Sequence, residues 1–175
     1  IKIVNIDAMY YCARRENVRV PEGDCYRFYK CNIRDKATVL AIMQREKPNV
    51  IIHFAAQSHV DSSFNGDLSL DYSLDNCVGT HTLMEACREY GKFEKIIHVS
   101  TDEVYGSSMD DERHEASILC PTNPYSATKA GAEMIALSYR YSFGLPIIIT
   151  RGNNVYGPNQ YPEKLIPKWI GMLGR

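Results

Sequence analysis

Short apolar runs rich in β-branched residues recur along the chain, and most are followed by a polar cluster and then a longer stretch of helical period. Ile1 to Ile6 predicts a strand ending at Asp7, whereas residues 8–24 lack a clear period and carry Pro21-Glu22-Gly23-Asp24, which predicts a loop. Tyr26 to Cys31 alternates as a second strand. Asp35 suits the N-cap of a helix reaching about Lys47, with Val39, Leu40, Ile42 and Met43 on its apolar face and Pro48 closing it. Asn49 to Phe54 reads as a buried strand, continued by the small residues Ala55-Ala56. A helix over about 70–90 follows, with Leu74, Val78, Leu83, Met84 and Cys87 inward and Gly91 as its stop.

Lys95 to Val99 and Pro146 to Thr150 predict two more strands. Between them come a loop at 106–121, a helix start at Pro121-Thr122-Asn123-Pro124 and a helix over about 125–143; Pro162 to Leu173 predicts a final helix. Strands that alternate with amphipathic helices imply an α/β fold: a doubly wound, mostly parallel, Rossmann-like sheet covered on both faces. No strand is followed by a glycine-rich G-x-x-G-x-x-G turn, the usual seat of a dinucleotide pyrophosphate.

The polar clusters change this picture from scaffold to chemistry, because open α/β sheets work at the C-terminal ends of their strands. Ser100-Thr101-Asp102-Glu103 at one such end offers a hydroxyl and two adjacent carboxylates, which can bind a sugar oxygen, give a proton and take one. Tyr125 and Lys129 stand four residues apart on one predicted helix face. An ammonium there favours the phenolate, so the spacing predicts a tyrosine able to take a proton from an alcohol. Asp7, at a strand end, can accept from both hydroxyls of an adenosine ribose and would repel a 2′-phosphate, which points to NAD rather than NADP.

Composition narrows the classes. The chain has 175 residues, 45% hydrophobic and 23% charged, with Lys+Arg 20 against Asp+Glu 21 and a formal net charge of -1, so nothing tracks a nucleic-acid backbone. Six cysteines, at 12, 25, 31, 77, 87 and 120, have neither C-x-x-C nor zinc spacing and read as reduced thiols. No apolar run nears the ~20 residues of a membrane-spanning helix, and the expected compartment is the cytoplasm. His53 and His98 fall within strands and read as structural, while His81 and His114 suggest no metal geometry.

Taken together, Phe54 to Asp61, Ser100 to Gly106, Pro124 to Lys129, Asn153 to Pro158 and Tyr161 to Pro167 closely resemble the extended short-chain dehydrogenase/reductase family, and within it the nucleotide-sugar 4,6-dehydratases. Thr101-Asp102-Glu103 is the specific part, since related epimerases and decarboxylases resemble the scaffold but usually lack the acid pair. The resemblance implies an NAD-dependent lyase acting on dTDP-glucose or UDP-glucose, with an epimerase or decarboxylase of the same family, or a non-catalytic NAD-binding scaffold, as alternatives.

It further implies catalytic roles for Thr101, Asp102, Glu103, Tyr125 and Lys129, and cofactor contacts from Asp7, Asn32, Ile33, Ala55, Ala56, Tyr125 and Lys129. The family commonly has Asp where Asn32 stands; the Asn carbonyl could still bond the adenine amino group. Substrate contacts are implied for Ser58, His59, Asp61, Thr101, Asn154, Glu163, Lys164 and Leu165, with no metal; for His59 the alternative is a loop imidazole capping a backbone group. On this basis residues 1–160 form a partial NAD-binding Rossmann domain and 161–175 begin a substrate-binding region of a longer protein. A homodimer through the helices at 70–90 and 125–143 is expected of that longer protein.

Overall fold

The computed structural model describes residues 1–107 and 112–174. The strands are β1 (Ile3–Asp7), β2 (Tyr26–Lys30), β3 (Val50–His53), β4 (Lys95–Thr101) and β5 (Ile147–Gly152), and every pairing is parallel. They form two groups, β1-β2 and β3-β4-β5. β1 and β3 turn unpaired edges toward a shared cavity of about 420 Å³, bordered by Val4 and Ile6 on one side and Val50 and Ile52 on the other.

Helix α1 (Lys36–Glu46) joins the two groups, α4 (Gly79–Tyr90) connects β3 to β4, and α5 (Pro124–Phe143) connects β4 to β5. These three crossovers all advance in the same direction across the sheet, so their right-handedness puts the helices in one layer. Val39, Ile42, Met43, Leu83, Met84, Cys87, Ala136 and Tyr139 meet Ile96 and Ile147 there to make the core. Burying each large aliphatic side chain contributes about 1.5–3 kcal/mol. The opposite face differs from the expectation of two covered faces: Val50, Ile52 and Ile148 are exposed. A crossover in the reverse direction would cover it, but the β1–β2 connection contains just a 3-10 turn at Arg15–Asn17 among the described residues.

The helix expected over 70–90 begins earlier, as α3 (Gly66–Tyr72), and passes through a π turn at Ser73–Val78 before becoming α4. The π turn underwinds the helix and shifts its buried face, so Leu74 and Val78 point outward, against expectation, and Asp75 and Asn76 are buried instead. Asn76 then holds the strand end after β3: its Oδ1 accepts from Gln57 N at 2.8 Å and its Nδ2 donates to Gln57 O and to Thr128 Oγ1 of α5.

Two histidines lie back to back under the sheet, His53 on β3 and His98 on β4, with ring centroids 5.1 Å apart. His53 Nε2 is 2.9 Å from Thr80 Oγ1, whereas neither ring nitrogen of His98 has a partner among the described residues. Burial holds His53 well below the usual histidine range and His98 at about 3, so both are neutral when folded. The unfolded chain binds those protons from about pH 6.5 downward while the folded chain does not. Stability is therefore full above that pH and falls as pH drops, by up to roughly 1.4 kcal/mol per pH unit for each such group. Thermal melting from about pH 7.5 to about pH 5 should show this loss, and His98→Leu should flatten the slope; an unchanged slope would exclude His98 as its source.

Candidate active site

β4 ends in Thr101, whose hydroxyl caps a 3-10 turn, Asp102–Tyr105, by accepting from Glu103 N at 3.3 Å and donating to Asp102 Oδ1 at 3.2 Å. A strand that runs straight into a capped turn presents consecutive polar side chains at the sheet's C-terminal edge. Gly106 closes the turn with φ +78°, and a Cβ there would sit 2.1 Å from the Cys120 carbonyl oxygen, so the residue must be glycine twice over. Gly106→Ala should destabilise by more than about 1 kcal/mol, well beyond Gly144→Ala, which also has a positive φ but lies in the left-handed helical region and faces open space. Equal losses in the two melting temperatures would show that the Cys120 contact is unimportant.

Helix α5 starts beside this turn because Asn123 caps it reciprocally with Ser126 and Pro124 occupies the first position. The Asn123 amide also donates to Glu103 Oε2 at 3.2 Å, so one side chain starts the helix that carries Tyr125 and steadies the carboxylate opposite it. This residue was legible as a helix start but not as a Glu103 partner.

Thr101, Glu103 and Tyr125 line a second cavity, of about 470 Å³. Ser58, His59 and Asp61 border it on the β3 side, and Asn154, Glu163, Lys164 and Leu165 on the β5 side. All eight positions expected to face substrate thus share one cavity with the tyrosine and the glutamate. His59 also makes the capping contact considered as its alternative: its Nδ1 accepts from Ser62 N at 3.2 Å at the start of α2 (Val60–Ser63). Glu163 accepts from the Tyr11 hydroxyl, and Lys164 Nζ donates to Ser58 O at 2.7 Å. These bonds fasten the segment leading into α6 (Leu165–Leu173) across the ends of β1 and β3, and Tyr11 carried no signal in the sequence.

The positions expected to hold a cofactor divide. Asp7, Asn32, Ile33, Ala55 and Ala56 line the first cavity, at the switch point between β1 and β3, while Tyr125 lines the second and Lys129 neither. Asp7 Oδ1 accepts from Met9 N at 2.6 Å. Asn32 is already engaged: its Oδ1 accepts from Arg34 N and its Nδ2 donates to Tyr10 Oη, leaving one carbonyl lone pair and one amide hydrogen for a base. Asp102 is half-buried beside the second cavity rather than in its wall.

Burial acts on both members of the expected tyrosine–lysine pair. Burial, then the Glu103 carboxylate, pushes Tyr125 up to about 12, and a hydrogen bond with Thr101 works against them. Lys129 is 4% exposed, donates to the Val99 carbonyl at 2.7 Å, and is pushed down by burial to about 8. One donor of its ammonium thus goes to a strand carbonyl, and burial with the Glu103 carboxylate favours the neutral phenol.

A parallel α/β sheet with Tyr125 and Lys129 on the helix after a Thr101-Asp102-Glu103 strand end defines a Rossmann-like protein of the extended short-chain dehydrogenase/reductase class. A family profile described as GDP-mannose 4,6 dehydratase matches residues 1–174, and the chain belongs to that family. It is 51% identical over 173 residues to a trifunctional UDP-glucose 4,6-dehydratase/UDP-4-keto-6-deoxy-D-glucose 3,5-epimerase/UDP-4-keto-L-rhamnose-reductase of Arabidopsis thaliana, covering 97% of this chain and 26% of that one. A dTDP-D-glucose 4,6-dehydratase of Dictyostelium discoideum is 47% identical over 184 residues, covering 98% of this chain and 42% of its own length. In structure, the chain matches the dTDP-glucose 4,6-dehydratase of Streptomyces venezuelae, solved with NAD bound, with a TM-score of 0.93 at 38% identity over 98% of this chain and 52% of that one. The chain thus spans about half or less of these relatives.

Proposed function

We propose that the protein containing this chain is an NAD-dependent nucleotide-sugar 4,6-dehydratase acting on dTDP-glucose or UDP-glucose. The observation that carries this reading is the single cavity shared by Glu103 and Tyr125 with the eight substrate-side positions, Thr101 among them. An oxidation site and an elimination site must face the same sugar for its C4 oxidation to acidify C5.

The residues at the first cavity suit the adenosine end of NAD: a strand-end carboxylate with one oxygen outside protein hydrogen bonds among the described residues, and exposed or half-exposed alanines that let a ligand approach the backbone. With NAD held there by Asp7, Asn32, Ile33, Ala55 and Ala56, the cofactor would supply the hydride acceptor for C4 and the hydride donor for C6. Tyr125, assisted by Thr101, accepts the 4-hydroxyl proton. Glu103 removes the C5 proton made acidic by the 4-ketone, while Asp102 gives a proton to the departing C6 hydroxyl, and water leaves. Glu103 then returns a proton to C5, so the product is a 4-keto-6-deoxy sugar with no net redox change. Lys129 would serve a cofactor hydroxyl and the phenolate once released from Val99. Asn154, Glu163, Lys164 and Leu165 would hold the nucleotide side of the substrate, with residues 1–160 as the cofactor domain and 161–175 opening the substrate region.

The unpaired edges of β1 and β3 support a further parallel strand between them in the whole protein, delivering the pyrophosphate turn that this chain lacks. Exposed apolar residues on the two long helical segments, including Leu74, Val78 and Met134, support a homodimer, which light scattering of the whole protein tests: a monomer at working concentration excludes it. The cytoplasm is the compartment we assign to such an enzyme. Among the described residues no helix is long and apolar enough to cross a membrane. For the activity itself, dTDP-glucose and UDP-glucose are offered separately with NAD and the products weighed. Loss of one water from either supports the reading; a 4-epimer of unchanged mass transfers it to an epimerase.

A further inference from the structure

Beneath the second cavity, one guanidinium joins the elements that carry the two halves of the chemistry. Arg151 lies on β5 opposite Ser100 of β4. Its Nε donates to both Glu133 carboxylate oxygens at 3.1 and 3.0 Å, and its Nη2 to Glu133 Oε2 at 2.7 Å. Its Nη1 donates to the Tyr105 hydroxyl at 2.8 Å and to the Glu115 carbonyl at 3.0 Å, and the guanidinium carbon lies 4.9 Å from the Tyr105 ring centroid. Glu133 is wholly buried one helical turn beyond Lys129, and Tyr105 ends the 3-10 turn that bears Asp102 and Glu103. None of Arg151, Glu133 and Tyr105 lines either cavity.

We propose that Arg151 is a positioning residue for the elimination: through Glu133 and Tyr105 it fixes the Asp102–Glu103 turn against the helix that carries Tyr125. The forked, planar head is what allows this, since it meets a carboxylate along one edge and still has donors for a phenol and a carbonyl on another; a lysine has no such fork. Asp102 and Glu103 are three and two residues from Tyr105, so a turn released from Arg151 would shift both acids while Tyr125, capped by Asn123, stays in place.

The inference rests on the dehydratase reading, and its test separates the two. In the whole protein, Arg151→Met is combined with Glu133→Gln so that no buried charge is left unpaired; Tyr105→Phe and Arg151→Lys are made alongside. Melting temperature checks folding, the near-ultraviolet absorbance of reduced nicotinamide follows oxidation in a single turnover, and product mass follows elimination. The folded double variant should keep KM within about threefold and oxidise at close to the wild-type rate, yet lose about 10²-fold in product formation, so that reduced nicotinamide accumulates. Arg151→Lys should not restore the rate, and Tyr105→Phe, which keeps the ring contact, should show a smaller loss of the same kind. Wild-type product formation by the folded double variant, or equal loss of both steps, overturns the proposal. If the wild-type protein neither reduces NAD with a nucleotide hexose nor loses water from it, the dehydratase reading fails on that result alone and takes this role for Arg151 with it.

Discussion

Glu103→Gln should stop the reaction after oxidation, with kcat for the dehydrated product down by about 10²–10⁴-fold and reduced nicotinamide accumulating on the enzyme. The amide cannot take the C5 proton, but it is nearly isosteric and its oxygen can still accept from Asn123 Nδ2, so the start of α5 should survive. The same substitution has a second, independent consequence. The Glu103 carboxylate raises the pKa of Tyr125, so removing its charge should shift the pH dependence of the oxidation step toward lower pH. Single-turnover absorbance across pH reads both effects. A variant that forms the 4-keto-6-deoxy product at the wild-type rate would remove Glu103 as the base.

Tyr125→Phe should fail one step earlier. Without the phenol the 4-hydroxyl proton loses the acceptor assigned to it, so oxidation should fall by about 10²–10⁴-fold and no reduced nicotinamide should build up even under Glu103→Gln. Because burial pushes Tyr125 up to about 12, the wild-type kcat/KM should rise with pH through the alkaline range, where more of the phenol ionises. Lys129→Met should slow oxidation while leaving the protein folded, since the side-chain hydrogen bond it removes is the one to the Val99 carbonyl. Accumulation of reduced nicotinamide by Tyr125→Phe at the wild-type rate would show that another group takes the proton.

Much of this arrangement was legible in residue pattern. The apolar runs located all five strands and the helices α1 and α5 to within a residue or two, since period and capping signals agree there: Asp35 accepts from Thr38 N at the start of α1, as its position suggested. The π turn was not legible. Leu74 and Val78 continue the apolar stripe of an α-helix, and only burial of Asp75 and Asn76, satisfied by partners distant in sequence, overrides it. The uncovered sheet face had a similar cause: alternation reveals strands and helices, while the direction of each crossover decides which side a helix takes.

For the site, local motifs brought Thr101, Glu103, Tyr125 and the substrate-side residues to one cavity. What they could not supply were bonds between segments far apart, such as Tyr11 to Glu163 or Arg151 to Glu133 and Tyr105. Spacing placed Tyr125 and Lys129 on one helix but could not show the Val99 carbonyl that Lys129 reaches. His98 read as an ordinary structural histidine, yet its buried ring has no partner among the described residues and becomes a source of acid sensitivity.

Label transfer tests the central claim most directly. The whole protein is given NAD and dTDP- or UDP-glucose carrying deuterium at C4, and the same reaction is run unlabelled in heavy water. The proposed dehydration predicts loss of one water, the C4 deuterium recovered at C6, and one solvent deuteron at C5. Deuterium returned to C4 with no loss of water would contradict it, and would mean that Asp102 and Glu103 sit at an oxidation site without an elimination to perform.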